Sequence, residues 1–327
     1  MIITRTPLRV SIGGGGTDLP SYYEDHGGFV ISAAINKHIY ITMHNRTFTA
    51  DYVVKYSQLE KVANASDIQH RIIRQAFLDY EVAPGVEMVS IADLPAGTGL
   101  GSSGSFTVGL LRAIHAMKRQ HVTTSSLGEQ ACTIEIEKLK EPVGKQDQYI
   151  AAFGGLTCFD IDKAGSVTAT PLKIPQGALH DLEDNLLMFF TGYSRSASAV
   201  LKDQKVKSEA ADRAMLENLH FTKDLGYQIR EHLESGNTHK FAEAMHQHWL
   251  RKKQRSAGIS NDNISRWYDV GKENGALGGK LIGAGGGGFL LFYATDAVQL
   301  RKAMAAEGLS EVRFHFDQEG SKVIVQE

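Results

Sequence analysis

The segment Leu94-Pro-Ala-Gly-Thr-Gly-Leu-Gly-Ser-Ser-Gly104 constrains this chain more than any other, because it sets a glycine loop directly before an apolar-striped helix. Phe106, Leu110, Leu111, Ile114 and Met117 recur at helical spacing, so that helix is expected to begin near Ser102 or Ser103. Glycines let backbone amides close on an anion, and the free N–H groups and positive dipole end of a helix start favour negative charge. Phosphate is therefore the expected ligand. Two widespread phosphate loops do not fit. No segment supplies the Walker pattern GxxxxGK followed by Ser or Thr. Gly99, Gly101 and Gly104 do satisfy GxGxxG, but residues 121–130 offer no apolar strand, and Glu129 falls in the next helical pattern. A dinucleotide-binding unit needs an acidic residue at the end of such a strand.

Glycine accounts for 33 of 327 residues, and two further clusters lie at 13–16 and 275–288. Both are bounded by apolar runs, unlike the Gly-Ser composition of flexible linkers, so they read as turns inside folded units. A hydrophobic fraction of 42% against 22% charged residues supports a sizeable core. At roughly 150 residues per domain the length suggests two domains. Lys and Arg number 35 and Asp and Glu 37, a net charge of −2. No basic field exists to hold nucleic acid or anionic lipid, and small molecules are the expected partners. No run approaches the ~18 apolar residues of a membrane span, and the first residues lack a secretory signal core, so a cytoplasmic chain is expected. Cys132 and Cys158 are too few for a disulfide framework and suit a reducing compartment as buried apolar residues. The histidines show no metal spacing, His246 and His248 being two apart, and no nucleophilic triad is visible.

Short β-rich runs at 29–35, 40–43, 52–56 and 86–91 mix with a helical face of Ile68, Ile72, Ala76 and Tyr80, and Leu127, Ala131, Ile134 and Leu139 suggest another helix. A strand is expected at 186–190. Leu216, Leu219, Leu225, Ile229 and Leu233, then Phe241, Met245 and Trp249, then Ile264, Trp267 and Tyr268 predict helices. Strands are expected again at 289–293, 312–316 and 323–325. The class is α+β with two domains, 1–170 and 171–327, divided near the turn-rich segment around Pro171 and Pro175.

Three motifs carry a resemblance to the GHMP kinase superfamily, the group of galactokinase, homoserine kinase and mevalonate kinase. Pro95 through Gly104 resembles its phosphate loop. Thr6-Pro-Leu-Arg-Val-Ser-Ile-Gly-Gly-Gly-Gly-Thr-Asp18 resembles its N-terminal sugar-contacting motif, and Gly283-Ala-Gly-Gly-Gly-Gly288 its C-terminal glycine motif. Within the superfamily, Gly144-Lys-Gln-Asp-Gln-Tyr149 and the GGGGTD segment are most similar to the kinases of heptose 7-phosphate. The resemblance implies the two-domain GHMP kinase fold, with the active site between the domains. It also implies ATP and Mg²⁺, and transfer of phosphate to the anomeric hydroxyl of a sugar phosphate. L-fucose and other sugar 1-kinases of the superfamily are the nearest alternative.

The same resemblance distributes roles. Pro95, Gly97, Gly99, Leu100, Gly101, Ser102, Ser103 and Gly104 are expected to hold the nucleotide. Asp147 takes the position of the catalytic aspartate, which orients the acceptor hydroxyl and receives its proton late in transfer, and Arg9 that of the motif arginine. Glu135 precedes Asp147 by the interval of the magnesium-site acid. With Ser102 and Ser103 it is the expected metal set, and Glu137 is its competitor. Gly14, Gly15, Thr17, Asp18, Gly285 and Gly286 join Arg9 and Asp147 on the substrate side. Galactokinases carry glutamate at the position of Gly15. A carboxylate about 4 Å from a sugar phosphate costs roughly 1–4 kcal/mol per unit charge, so glycine there suits an acceptor that is longer and phosphorylated at its tail. Arg195, set among hydroxyls in Tyr193-Ser-Arg-Ser-Ala197, is the expected clamp on that phosphate.

Overall fold

Two sheets organise the computed structural model, which describes residues 1–193, 198–209, 212–256 and 258–327. In chain order the strands are β1 (Ile2–Gly13), β2 (Gly28–Asn45), β3 (Tyr52–Lys55), β4 (Leu59–Val62), β5 (Val86–Ala92), β6 (Leu156–Ile161), β7 (Val167–Pro171), β8 (Leu186–Phe190), β9 (Ala276–Leu281), β10 (Phe289–Ala294), β11 (Ser310–Glu311) and β12 (Lys322–Gln326). The first sheet runs β12-β1-β2-β5-β3-β4, with β6 on the upper part of β2 and β7 on β6. The second runs β11-β8-β10-β9 and is antiparallel. The fold is α+β, as expected.

Local chemistry explains most departures from the expected elements. The runs at 29–35 and 40–43 form one long strand, β2. Pro7 pairs with His38 and Leu8 with Ile35, so Asn36 and Lys37 are extra residues that the ladder absorbs as a bulge beside Arg9. Residues 312–316 do not form the expected strand. Their alternation is real, with Phe314 and Phe316 buried, but the segment crosses from one sheet to the other. Val312 donates to Met188 of β8, while Phe316 bridges Ile35 of β2, and no neighbour follows both. Periodicity assigns no element to 144–153, where a short helix, Gln146–Phe153, forms. Beyond Cys132 the Thr124–Cys132 helix widens into a π-helical turn at Thr133–Lys138.

The Ser102–Met117 helix begins where the sequence places it and packs on β1 and β2. One apolar core joins Val10, Ile31 and Ile41 of the first sheet to Met188 and Leu291 of the second. A second surrounds Trp249, Tyr268 and Phe292. Cys132 and Cys158 are buried, unpaired thiols. No helix among the described residues is long and apolar enough to cross a membrane.

Candidate active site

A single cavity of about 1020 Å³ receives β1, the glycine loop, the acidic residues and the C-terminal glycine segment. Pro95, Gly97, Gly99, Gly101, Ser102, Ser103, Glu135 and Asp147 line it, with Arg9, Gly15, Asp18 and Gly285. The loop and the acid, more than forty residues apart in the chain, therefore face one space. Gly101, with φ +74°, occupies the helix N-cap and makes no side-chain cap bond, which leaves first-turn N–H groups available to an anion. Gly104 lets the helix lie directly on Asp147: a methyl there would fall 2.8 Å from Asp147 Cβ.

Arg9 ties the loop to the acid. Its Nε donates to Asp147 Oδ1 at 2.7 Å and its Nη2 to Oδ2 at 3.0 Å, and its Nη1 donates to the Gly99 carbonyl. The Arg9 backbone N–H also donates to the Leu100 carbonyl at 3.0 Å. This fork of charge-assisted bonds fixes the carboxylate relative to the loop while leaving each oxygen a further lone pair.

Glu135 sits in the π-helical turn and points inward. Ser103 Oγ donates to its Oε2 at 2.5 Å and Gln148 Nε2 to its Oε1 at 3.1 Å. Burial pushes this carboxyl up to about 7, against the lowering effect of those bonds. Glu137, its competitor, is exposed on the other side of the turn.

Asp18 is also buried. Its carboxylate accepts from the backbone N–H groups of Gly16 at 3.0 Å and Gln146 at 3.1 Å. Burial raises its affinity for a proton, those bonds lower it, and Asp147 nearby raises it further. Gln146 Nε2 in turn donates to Ser11 Oγ at 2.9 Å and to Ser32 Oγ, which joins β1, β2 and the short helix behind the site. Lys145 is buried, donating to Glu129 and to the Gly165 carbonyl.

Several of the expected contact residues sit behind the cavity wall. Thr17 is fully buried; its hydroxyl lies within hydrogen-bond distance of the Gly14 and Phe29 carbonyls and accepts from the Phe29 N–H, so it braces the turn and does not line the cavity. Gly14 is pressed onto the Phe29 carbonyl, where a methyl would sit at 1.9 Å. Leu100 is turned into the core, and Gly286 spends its N–H on the Ile259 carbonyl. Arg195 lies outside the described residues.

Two features of the cavity escape motif reading. One arm is apolar, walled by Tyr56, His70, Ile72, Leu94, Phe106 and Leu139. His70 stands edge-on to Tyr56 at 4.7 Å and tilted on Phe106 at 5.0 Å between ring centroids. Elsewhere the wall is cationic, with His248, Lys252, Arg255 and Lys280 all buried. Burial, with repulsion from Arg255 and Arg9, lowers Lys252 to about 7; burial lowers Arg255 to about 10 against the raising effect of Asp18; burial and the neighbouring cations hold Lys280 and His248 well below their ordinary values. A signal for two of these existed: His248 and Lys252 share the helical face of Phe241, Met245 and Trp249, where charged residues interrupt an apolar stripe.

The family models for GHMP kinases match here, the N-terminal domain over residues 62–155 and the C-terminal over 229–309. A D-glycero-alpha-D-manno-heptose 7-phosphate kinase of Campylobacter jejuni is 30% identical over 98% of each chain. An L-fucokinase/L-fucose-1-P guanylyltransferase of Bacteroides fragilis is 23% identical over 92% of this chain and 35% of its own length. Among solved structures, a D-glycero-D-manno-heptose 1-phosphate kinase from Bacteroides thetaiotaomicron superposes with a TM-score of 0.82 at 23% identity, covering all of both chains.

Proposed function

Since the chain belongs to the GHMP kinase family and is a sugar kinase, we propose that it moves the γ-phosphate of Mg-ATP to the anomeric hydroxyl of D-glycero-D-manno-heptose 7-phosphate, giving the 1,7-bisphosphate. The observation that carries this reading is the shared cavity in which Arg9 holds Asp147 against the glycine loop. The choice of acceptor follows the relative named for heptose 7-phosphate, supported by the absence of a side chain at Gly15.

Phosphoryl transfer asks for alignment and charge neutralisation more than for covalent work by the protein. The loop amides at 97–103 and the open N-terminus of the Ser102–Met117 helix receive the phosphates of the nucleotide. The apolar arm at Tyr56, Ile72 and Phe106 accepts its base. Asp147 orients the acceptor hydroxyl and takes its proton as the new P–O bond forms, while Arg9 keeps that carboxylate in register and adds a positive charge beside the transferred group. Asp18 and its Gln146 support receive ring hydroxyls.

Glu135 suits Mg²⁺. It is a buried carboxylate whose protein partners are a hydroxyl and an amide, with no cation among the described residues to balance it. Glu135, Ser103 and Ser102 would hold the ion together with phosphate oxygens and water, a set Mg²⁺ accepts with only one carboxylate from the protein. When bound, the ion neutralises charge on the β- and γ-phosphates.

Phosphorus NMR of a reaction containing heptose 7-phosphate and ATP tests the proposal. A new anomeric phosphate resonance beside the retained 7-phosphate is expected. ATP turnover that favours L-fucose or galactose over heptose 7-phosphate would overturn the choice of acceptor.

A further inference from the structure

We propose that His248, Lys252, Arg255 and Lys280 form the subsite for the distal phosphate monoester of the acceptor, a role that sequence motifs suggest for Arg195. The inference rests on the sugar-phosphate reading above and assigns the residues that make it selective. All four line the active-site cavity, and they are 3%, 9%, 5% and 2% exposed, so each is at least nine-tenths buried. Among the described residues none of the three cations forms a salt bridge; Asp18 acts on Arg255 through its charge, and no acid acts on Lys252 or Lys280. A fold that buries three cations, two of them with no acid acting on them, has left a place for an anion that arrives from outside.

The geometry leaves donors to meet it. Lys280 Nζ uses one bond on the Ile12 carbonyl at 2.9 Å and stands 3.5 Å from His248 Nδ1. Lys252 Nζ donates to the carbonyls of Leu281, at 3.0 Å, and Gly283. Each ammonium has three donors, so at least one on each remains. The opposite ring nitrogen of the imidazole, His248 Nε2, is buried without any partner. Arg255 is held by Asn218, Thr222 and the Gly15 carbonyl.

Position favours the acceptor over the nucleotide. Lys280 and Arg255 reach Ile12 and Gly15 of the segment that ends in Asp18, and none of the four hydrogen-bonds residues 95–104. Charge favours phosphate over a carboxylate. A phosphate monoester carries about −1.5 to −2 at neutral pH with three acceptor oxygens, matching a cluster whose members depress one another's protonation when no anion is present.

Steady-state kinetics of the full chain test the assignment, with D-glycero-D-manno-heptose 7-phosphate, the unphosphorylated heptose and ATP varied in turn. The wild type is expected to prefer the 7-phosphate by at least 100-fold in kcat/KM. Lys252→Met and Lys280→Met should each raise KM for the 7-phosphate at least tenfold and KM for ATP less than threefold. Inorganic phosphate should inhibit the wild type competitively against the 7-phosphate and not against ATP, a readout that needs no variant to fold. A wild type that prefers the bare heptose overturns the sugar-phosphate reading and the subsite with it. A wild type that prefers the 7-phosphate, with folded variants whose KM for it is unchanged, leaves that reading standing and removes the subsite. A rise confined to KM for ATP, or phosphate competing with ATP alone, assigns the cluster to the nucleotide and overturns the proposal.

Discussion

Gly99 of the phosphate loop and Gly283 of the C-terminal glycine segment meet backbone to backbone: a methyl on Gly283 would lie 2.6 Å from Gly99 Cα. The two halves of the chain touch here with no side chain between them, and both residues adopt left-handed backbone angles, +82° and +77°.

Gly283→Ala should therefore disturb both stability and nucleotide binding. The left-handed angle costs alanine roughly 1–2 kcal/mol, and the clash with rigid backbone brings the total to about 3 kcal/mol. Urea unfolding gives the first quantity, and titration with ATP should show at least a tenfold weaker affinity. A variant of wild-type stability and affinity would mean that the contact is not maintained in solution.

Asp147→Asn keeps the shape of the side chain but removes the charge that receives the hydroxyl proton and half of the Arg9 pairing. A fall in kcat of roughly 10²–10⁴-fold is expected, with KM for ATP within about threefold of the wild type. Near-normal turnover by this variant would disprove the role given to Asp147.

Arg9→Lys tests whether the fork matters or only its charge. Lysine cannot reach both Asp147 oxygens and the Gly99 carbonyl at once. A loss in kcat of about 10²-fold is expected despite the conserved charge. Full activity in the lysine variant would reduce Arg9 to a simple counter-charge.

The buried lysine at 252 predicts a particular pH dependence of stability. Its value near 7 in the folded chain stands against an ordinary 10.5, because burial and then Arg255 and Arg9 disfavour the charged form. Between these values the unfolded chain binds the extra proton, so folding is favoured as pH rises from 7 toward 10 and this contribution is lost as pH falls back toward 7. The slope for one such group is at most about 1.4 kcal/mol per pH unit. Denaturant unfolding at pH 7.5 and 9.5 should show a smaller gain in Lys252→Met than in the wild type. Equal gains in both proteins would rule out a buried, depressed lysine at this position.

What could be read from the residues alone depended on how far apart the cooperating groups lie in the chain. The helix start at Ser102 and strand β8 follow from contiguous patterns, and the structure has both. The cationic wall does not. His248 and Lys252 sit on one helix, Arg255 in the turn after it and Lys280 on β9, and only the packing of that helix on β9 assembles them. The same distinction explains residues 312–316, whose alternation reports two buried side chains correctly but not that the segment passes from one sheet to the other. It also explains Thr17 and Gly14. Their place in a motif marks them, yet their atoms are spent on holding the turn that presents Gly15 and Asp18.

Strand β1, which carries Arg9, is flanked on one side by β2 and on the other by β12, whose residues begin at Lys322. During synthesis the outer ladder of residues 2–5 therefore stays unpaired until some three hundred further residues have been added, roughly half a minute at about 10 residues per second. For that interval the nascent chain exposes a template for a foreign strand, and premature termination upstream of position 322 would leave it open permanently.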